Sequence, residues 1–223
     1  MALLLHIETA TTNCSVSLAE SGQLLRLKEH ASPQYSHAEE LHIFIQQLMK
    51  EAGKSFAELS AVAVSKGPGS YTGLRIGVSA AKGLCYALNI PLISVSTLES
   101  LARHQQGHED FIIPVLDARR MEVYSSVYTS EIKETRGVAA EIIDENSFAE
   151  FLEKGVCHII GPGAQKCSEV ISHENAVFYA KTLPSANEMI PTAYSKWEKK
   201  IFEEVAYFEP FYLKEFIMAA KRQ

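Results

Sequence analysis

Lys66-Gly-Pro-Gly-Ser-Tyr-Thr-Gly-Leu-Arg-Ile-Gly77 joins a short apolar segment, Leu59–Ser65, to a long segment of small and apolar residues, Thr72–Leu88. The first pattern predicts a buried strand and the second predicts a helix. Another apolar segment, Leu92–Val95, follows the helix. Because a crossover helix joins neighbouring parallel strands, these two strands should lie side by side in an α/β sheet.

The residues before this turn predict an antiparallel start to the same sheet. Short apolar or alternating segments separated by polar turns indicate a β-meander: Leu3–Ile7, Cys14–Leu18 and Leu24–Leu27. Ser36 and Glu39 then have the spacing of a capping box, and apolar residues recur at helical spacing as far as Gly53. A third short helix, capped by Ser96 and ending at Ala102, completes the order βββαβαβα.

The second half of the chain predicts another unit of mixed composition. The polar stretch His104–Asp110 indicates a boundary between residues 1–103 and residues 104–223. Apolar segments predict four strands: Ile112–Leu116, Val123–Thr129, His158–Ile160 and Ala176–Tyr179. Two segments predict helices, Glu145–Glu153 and Ile190–Glu204, and the second of these is expected to be able to pack back on the first unit.

Composition restricts the classes of function. The 223 residues are 47% hydrophobic and carry a net charge of -6, which disfavours a large cationic surface for nucleic acid. The four cysteines are widely spaced, so the sequence predicts neither a zinc knuckle nor a C-x-x-C redox site. The N-terminus has a short apolar run without preceding basic residues, unlike a signal peptide. We therefore expect a cytoplasmic protein without a membrane segment.

The glycine-rich turn resembles a phosphate-binding loop only in composition. A Rossmann fingerprint requires G-x-G-x-x-G, whereas Gly67, Gly69 and Gly73 give G-x-G-x-x-x-G. A Walker loop requires a lysine at the start of the helix, and Lys82 comes nine residues after Gly73. The spacing therefore favours glycines that permit a sharp turn, although a phosphate site stays open as an alternative.

The second helix is apolar on more than one face. Arg75 and Lys82 are its only charged residues between Leu74 and Leu88. Rows of small residues at helical spacing run along both sides of it: Gly73, Gly77 and Ala81 on one side and Ala80, Gly83 and Ala87 on the other. A helix that can be approached closely on two sides predicts packing on its own sheet and on a second subunit.

Three segments together resemble the TsaB family, also called YeaZ: Leu3–Leu18, Lys66–Gly77 and Glu209-Pro-Phe-Tyr-Leu213. The resemblance covers nearly the whole chain, and its most specific part is Gly67–Arg75. It implies a duplicated α/β fold of the actin-like/Hsp70-like (ASKHA) type, with two ribonuclease-H-like βββαβα subdomains. It also implies a non-catalytic subunit that supports the catalytic paralogue TsaD, with the ATPase TsaE, in tRNA threonylcarbamoyladenosine synthesis on tRNAs that read ANN codons.

In that family the first two helices form the TsaD interface, which agrees with the doubly apolar second helix. The interface residues predicted here are His37, Leu41, Phe44, Ile45 and Leu48 on the first helix and Gly73, Ile76, Gly77, Ala80, Gly83 and Ala87 on the second. In the absence of TsaD, the same patch should mediate self-association. Contact with tRNA is expected through the complex.

The catalytic relative binds its metal through two histidines in the pattern V-N-H-L-E-x-H. The corresponding segment here is Val95-Ser-Thr-Leu-Glu-Ser-Leu101, so Thr97 and Leu101 replace both ligands. The resemblance thus implies no catalytic residue, no metal and no cofactor, with any nucleotide held at the interface with the partner. Two other functions stay as alternatives, an actin-like ATPase or phosphotransferase and an M22-type metallopeptidase.

Glu8 and Thr9 are weak candidates for nucleotide contacts, because actin-like ATPases place an acidic residue and hydroxyls near the phosphates at this point. A turn whose hydroxyls bond the local backbone is the favoured interpretation of these two residues.

Overall fold

Two five-stranded mixed sheets form the framework of the computed structural model, which describes residues 1–33, 37–108 and 110–214. The strands of the first sheet are β1 (Leu3–Glu8), β2 (Asn13–Glu20), β3 (Gln23–Ala31), β4 (Ala61–Gly67) and β5 (Leu92–Ser96). The helices between and after them are α1 (His37–Glu51), α2 (Tyr71–Leu88) and α3 (Thr97–Ala102).

The strand order of the first sheet is β3-β2-β1-β4-β5. The meander pairs antiparallel, with Leu5 opposite Leu18, while β1 and β4 are parallel, with Leu5 opposite Val62. All residues of β1 are buried, because helices cover both faces of the sheet. Double coverage explains why this strand is apolar throughout instead of alternating.

The second sheet repeats this topology. Its strands are β6 (Phe111–Asp117), β7 (Glu122–Thr129), β8 (Glu134–Ile142), β9 (Cys157–Ile160) and β10 (Ala176–Tyr179), in the order β8-β7-β6-β9-β10. The described part of the second half also contains three short helices: α4 (Ala149–Leu152), α5 (Ala164–Ser168) and α6 (Ile190–Glu198). Because each sheet has its first strand in the centre and its meander on one side, the predicted duplicated α/β fold is confirmed.

The last helix, α6, returns to the first sheet. Met189 and Ala193 are fully buried against Leu4 and Ile93, on the face opposite α1 and α2. The preceding loop is fixed to β2 by hydrogen bonds, since Ser17 Oγ donates to Ala186 O at 2.8 Å. This contact links residues far apart in sequence, and it gives the first sheet its second cover.

Several predicted boundaries were wrong for local reasons. The segment Glu145–Glu153 is helical only from Ala149 to Leu152, because Phe148 has φ 65° and residues 144–147 form a turn. The helix Ile190–Glu204 ends at Glu198, and Lys200 has φ 55°. The strand predicted from Leu59 begins at Ala61, after a short 3-10 turn.

Other elements fell outside the sequence pattern or outside the described residues. The strand β8 and the short helix α5 were not predicted from their residues, because β8 is half exposed and carries charges and a glycine. The proposed N-cap Ser36 lies outside the described residues. Within the ranges that the structure describes, no helix has the length and apolar character needed to cross a membrane.

Candidate partner-binding surface

The helix α2 buries one face on its own sheet. Ser70 caps its N-terminus, where its hydroxyl accepts a hydrogen bond from the Gly73 N–H at 3.3 Å. The buried face carries six residues that contact the sheet side: Gly73, Leu74, Gly77, Val78, Ala81 and Cys85. One of the two rows of small residues therefore belongs to the internal packing of the subunit.

The turn after β1 touches α2 so closely that two glycines are required. The hydroxyl of Thr9 donates to Gly73 O at 2.8 Å. A Cβ on Gly73 would lie 2.1 Å from the Thr9 carbonyl oxygen, and a Cβ on Gly77 would lie 2.3 Å from Thr9 Oγ1. Both residues were predicted to face a partner. That prediction was wrong, because their missing side chains make room for Thr9.

The same correction applies to most of the predicted residues on α1. Leu41, Ile45 and Leu48 are at most 3% exposed and pack in the core of the first sheet. His37 is also buried, with Nε2 2.7 Å from Thr11 O. Phe44 is half-buried against the same core. A helical apolar stripe indicates burial but not which neighbour covers it, and here the neighbour is the chain's own sheet.

The outer side of α2 remains accessible. An open groove between α1 and α2 is lined by eight residues: Ala38, His42, Arg75, Ile76, Ser79, Ala80, Gly83 and Leu84. Ile76 and Ala80 are half-buried, while Gly83 and Ala87 are exposed. A Cβ on Gly83 would meet nothing within 4 Å, so a partner can approach the helix there. These four residues stay the predicted interface.

The C-terminal segment, residues 203–214, runs along the opposite side of α2. Glu203 N donates to Leu92 O at 2.8 Å, and Lys82 Nζ donates to Phe208 O at 2.9 Å. Further along, Phe211 N donates to Lys66 O at 2.7 Å, at the start of the glycine-rich turn. The C-terminal segment thus forms the wall of a second groove on α2, which shares Arg75 and Ser79 with the first groove.

This segment is also where aromatic side chains are exposed. Tyr207 is 79% exposed, and Phe211 and Tyr212 are 41% and 36% exposed. Tyr212 lies 4.8 Å from Tyr71 between ring centroids, and the guanidinium of Arg75 lies 5.1 Å from the centroid of the Tyr71 ring. Exposed aromatic and arginine side chains are typical of the residues that dominate binding at interfaces. The tyrosines at positions 71 and 212 were not predicted, although Tyr71 and Arg75 have the i, i+4 spacing of neighbours on a helix.

The two residues considered for nucleotide contacts are used inside the fold. Glu8 is fully buried, and its Oε1 accepts hydrogen bonds from Ala10 N at 2.6 Å and from Ser65 Oγ at 2.9 Å. No described group bonds its Oε2. Burial raises the pKa of Glu8 to about 7, and the hydrogen bonds only partly oppose this shift. The hydroxyl of Thr9 is also used inside the fold, because it donates a hydrogen bond to Gly73 O.

Packed side chains occupy the two positions that the family resemblance pairs with metal-binding histidines. Thr97 and Leu101 are both fully buried. A Cβ on Gly161 would lie 2.5 Å from Leu101 Cδ2, so the chain packs closely around Leu101. Among the described residues, no group of three or more His, Cys, Asp or Glu side chains is arranged to hold a metal ion.

Comparison with known proteins gives consistent matches. The sequence profile described as "TsaD: tRNA N6-adenosine threonylcarbamoyltransferase" matches residues 30–216. The "tRNA threonylcarbamoyladenosine biosynthesis protein TsaB" of Escherichia coli K12 is 30% identical over 223 residues, which are 95% of this chain and 94% of that protein. The protein of the same name from Bacillus subtilis 168 is 37% identical over 111 residues, 49% of this chain and 47% of that protein.

Two solved structures match this chain over nearly its whole length. "YeaZ from Pseudomonas aeruginosa" superimposes with a TM-score of 0.85 at 28% identity, over 96% of this chain and 100% of that chain. A second structure from the same organism, described as similar to peptidase YEAZ, has a TM-score of 0.86 at 27% identity.

Proposed function

The chain belongs to the TsaB (YeaZ) family of tRNA threonylcarbamoyladenosine biosynthesis proteins, and on that premise we propose that it is a cytoplasmic, non-catalytic subunit of this pathway. Its role is to bind and support the catalytic paralogue TsaD, together with the ATPase TsaE. In the absence of TsaD it self-associates through the same surface. It meets tRNA only through the assembled complex.

One observation carries this proposal. The outer side of α2 presents small and apolar residues next to an open groove, although the inner side is already fully used by the chain's own sheet. Gly83 is exposed and leaves space for a second helix to approach, and Ala80, which is half-buried on the core, borders the same open groove. Surfaces of this kind on an otherwise packed domain are typical of protein interfaces.

The proposal makes a prediction for Ala80→Leu. The larger side chain should hold a partner helix away from α2, and overpacking of about 1–3 kcal/mol corresponds to about 5- to 150-fold weaker binding. The melting temperature should change little, because Ala80 is only half-buried and borders an open groove into which the larger side chain can extend. Binding is measured by calorimetry with TsaD from the same organism, and tRNA modification in a reconstituted reaction should fall in parallel.

A matched control is Ala140→Leu, which adds the same side chain to an exposed position of β8 in the second sheet. It should leave TsaD binding unchanged. If Ala80→Leu binds TsaD and supports modification as the wild type does, this groove is not the interface.

The absence of catalysis is a separate part of the proposal. Leu101 has no donor atom for a metal, Thr97 is fully buried, and Glu8 is enclosed by its own hydrogen bonds. Calorimetry of the isolated chain with ATP and Mg²⁺ should therefore detect no binding in the micromolar range, and ATP turnover should equal that of buffer. Micromolar binding, or turnover that disappears in Glu8→Ala, would contradict this prediction and favour the actin-like ATPase alternative.

A further inference from the structure

A ridge on the outer side of α2 carries two positive charges and no negative charge, at the exposed Arg75 and the half-buried Lys82. Arg75, Ser79, Lys82 and Tyr86 follow one another at helical spacing on this ridge, and Tyr86 is 85% exposed. The ion pairs formed by the described residues include neither Arg75 nor Lys82. Lys82 donates instead to the backbone carbonyls of Ala206 and Phe208. Among the residues that the structure describes, neither cation has a carboxylate within ion-pair distance.

The guanidinium of Arg75 is held in place by aromatic side chains. Arg75 Nη1 donates to the Tyr71 hydroxyl at 3.2 Å, and its guanidinium carbon lies 5.1 Å from the centroid of the Tyr71 ring. Tyr71 is in turn packed against Tyr212 of the C-terminal segment, with 4.8 Å between centroids. A cation supported in this way loses little side-chain entropy when a carboxylate binds it.

The surroundings of the ridge have the same sign of charge. The groove on the α1 side is lined by Arg75 and by no carboxylate. The groove on the other side contains Arg75, Lys82 and a single acidic residue, Glu209. This local excess of positive charge occurs in a chain whose net charge is -6. The ridge therefore differs in sign from the protein as a whole.

We infer that the α2 ridge selects a partner helix with an acidic face and discriminates against a second copy of this chain. The inference rests on the proposed function, which places docking at the groove that Arg75 and Ser79 of this ridge line. A two-fold contact brings Arg75 and Lys82 of both copies into one patch, so four positive charges meet. An acidic partner helix neutralises the two charges of one copy instead. Repulsion of the wrong partner is a general means of specificity at interfaces.

The two modes of association should respond to salt in opposite ways. Salt screens attraction in the complex with TsaD, so raising the ionic strength from about 0.05 to 0.5 M should weaken that binding about tenfold. The same change screens repulsion between two copies, so self-association of the full chain should become stronger. Calorimetry measures the first equilibrium and sedimentation equilibrium measures the second.

Variants of Arg75 isolate the charge. Arg75→Gln should weaken TsaD binding about tenfold at low salt, reduce its salt dependence and strengthen self-association. Arg75→Glu should go further, because in an antiparallel two-fold contact Glu at position 75 can pair with Lys82 of the other copy. Self-association of this variant should then weaken as salt is added. Lys133→Gln, which removes an exposed positive charge from the turn between β7 and β8, is the control and should behave as the wild type.

The outcomes separate this inference from the proposed function. If Ala80→Leu abolishes TsaD binding while Arg75→Gln binds as the wild type with the same salt dependence, the docking surface is correct and the charge selection is wrong. Self-association that weakens with salt in the wild type would also overturn the inference. Melting temperatures of the Arg75 variants should match the wild type, since this side chain is exposed, and this excludes misfolding as the cause.

Discussion

Replacing Gly73 with alanine should destabilise the protein by about 3 kcal/mol, the upper end of the usual cost of overpacking. The added Cβ would lie 2.1 Å from the carbonyl oxygen of Thr9, which is much closer than a carbon and an oxygen that are not bonded can approach. A carbonyl oxygen belongs to the backbone and has no rotamer by which to move away. The turn after β1 or the whole of α2 must shift, and the hydrogen bond from Thr9 Oγ1 to Gly73 O would be lost with it.

Gly77→Ala provides an internal comparison with a different obstacle. Its Cβ would lie 2.3 Å from Thr9 Oγ1, which is a side-chain atom, and 3.4 Å from Thr9 Cβ. Thr9→Ala removes the hydroxyl, so it should restore part of the stability lost in Gly77→Ala. It should not rescue Gly73→Ala, because the Thr9 carbonyl oxygen remains. Unfolding free energies from urea titrations of the three single variants and the two double variants test this difference.

The control on the same helix is Gly83→Ala. Nothing lies within 4 Å of a Cβ at that position, so alanine should raise stability by about 0.5–1 kcal/mol through its higher helix propensity. Stability should therefore decrease in the order Gly83→Ala, wild type, Gly77→Ala, Gly73→Ala. A Gly73→Ala protein as stable as the wild type would show that α2 does not pack on the turn after β1 as described.

The sequence alone predicted α2 well in its limits and only partly in its packing. Small residues on two sides correctly indicated close approach on the inner side, at Gly73 and Gly77, and left an accessible row at Ala80 and Gly83. The sequence did not indicate which row packs on the chain's own sheet and which row faces outwards. That depends on the position of Thr9, which is brought to α2 by the pairing of β1 with β4 and not by any local pattern.

Features that depend on distant parts of the chain were the ones that sequence reasoning missed. The ridge at Arg75 is completed by Tyr212, more than a hundred residues away, and the C-terminal segment has no regular period that would predict its path. Likewise, the pattern after β1 suggested hydroxyl and carboxyl groups near a nucleotide, whereas the fold encloses Glu8 between Ala10 and Ser65. In both cases the role of the side chain depends on which distant segments pack around it.

The enclosed carboxyl group leads to the second large prediction, which is that Glu8→Gln is progressively more stable than the wild type as the pH rises. Burial raises the pKa of Glu8 from 4.5 to about 7 in the folded protein. The folded state therefore binds the proton more tightly than the unfolded state. The contribution of Glu8 to the unfolding free energy is therefore fully present below pH 4.5 and is lost as the pH rises through 7. A shift of this size corresponds to about 3 kcal/mol.

His6, two residues earlier on the same face of β1, has the opposite effect. It is fully buried, with Nδ1 3.3 Å from Ser17 O, and burial lowers its pKa from 6.5 to about 4. The unfolded state therefore binds the proton more tightly, and stability is lost as the pH falls from 6.5 towards 4. Between pH 4.5 and 6.5 the contributions of the two residues oppose each other, so each hides the other in the wild-type protein.

Single variants should reveal how each residue makes the unfolding free energy depend on pH. The unfolding free energy of Glu8→Gln relative to wild type should rise by about 3 kcal/mol between pH 4.5 and pH 8, and its melting temperature should exceed that of the wild type by about 6–12 °C at pH 8. His6→Gln should instead lose the decline in acid, and the double variant should show neither slope. Glu145→Gln, at an exposed carboxylate, is the control and should follow the wild type at every pH.

If Glu8→Gln is less stable than the wild type at pH 8 by the same margin as at pH 4.5, the carboxylate is ionised and satisfied in the folded protein. The core beneath α2 would then contain a group that bonds Oε2, in conflict with the enclosed geometry of Glu8.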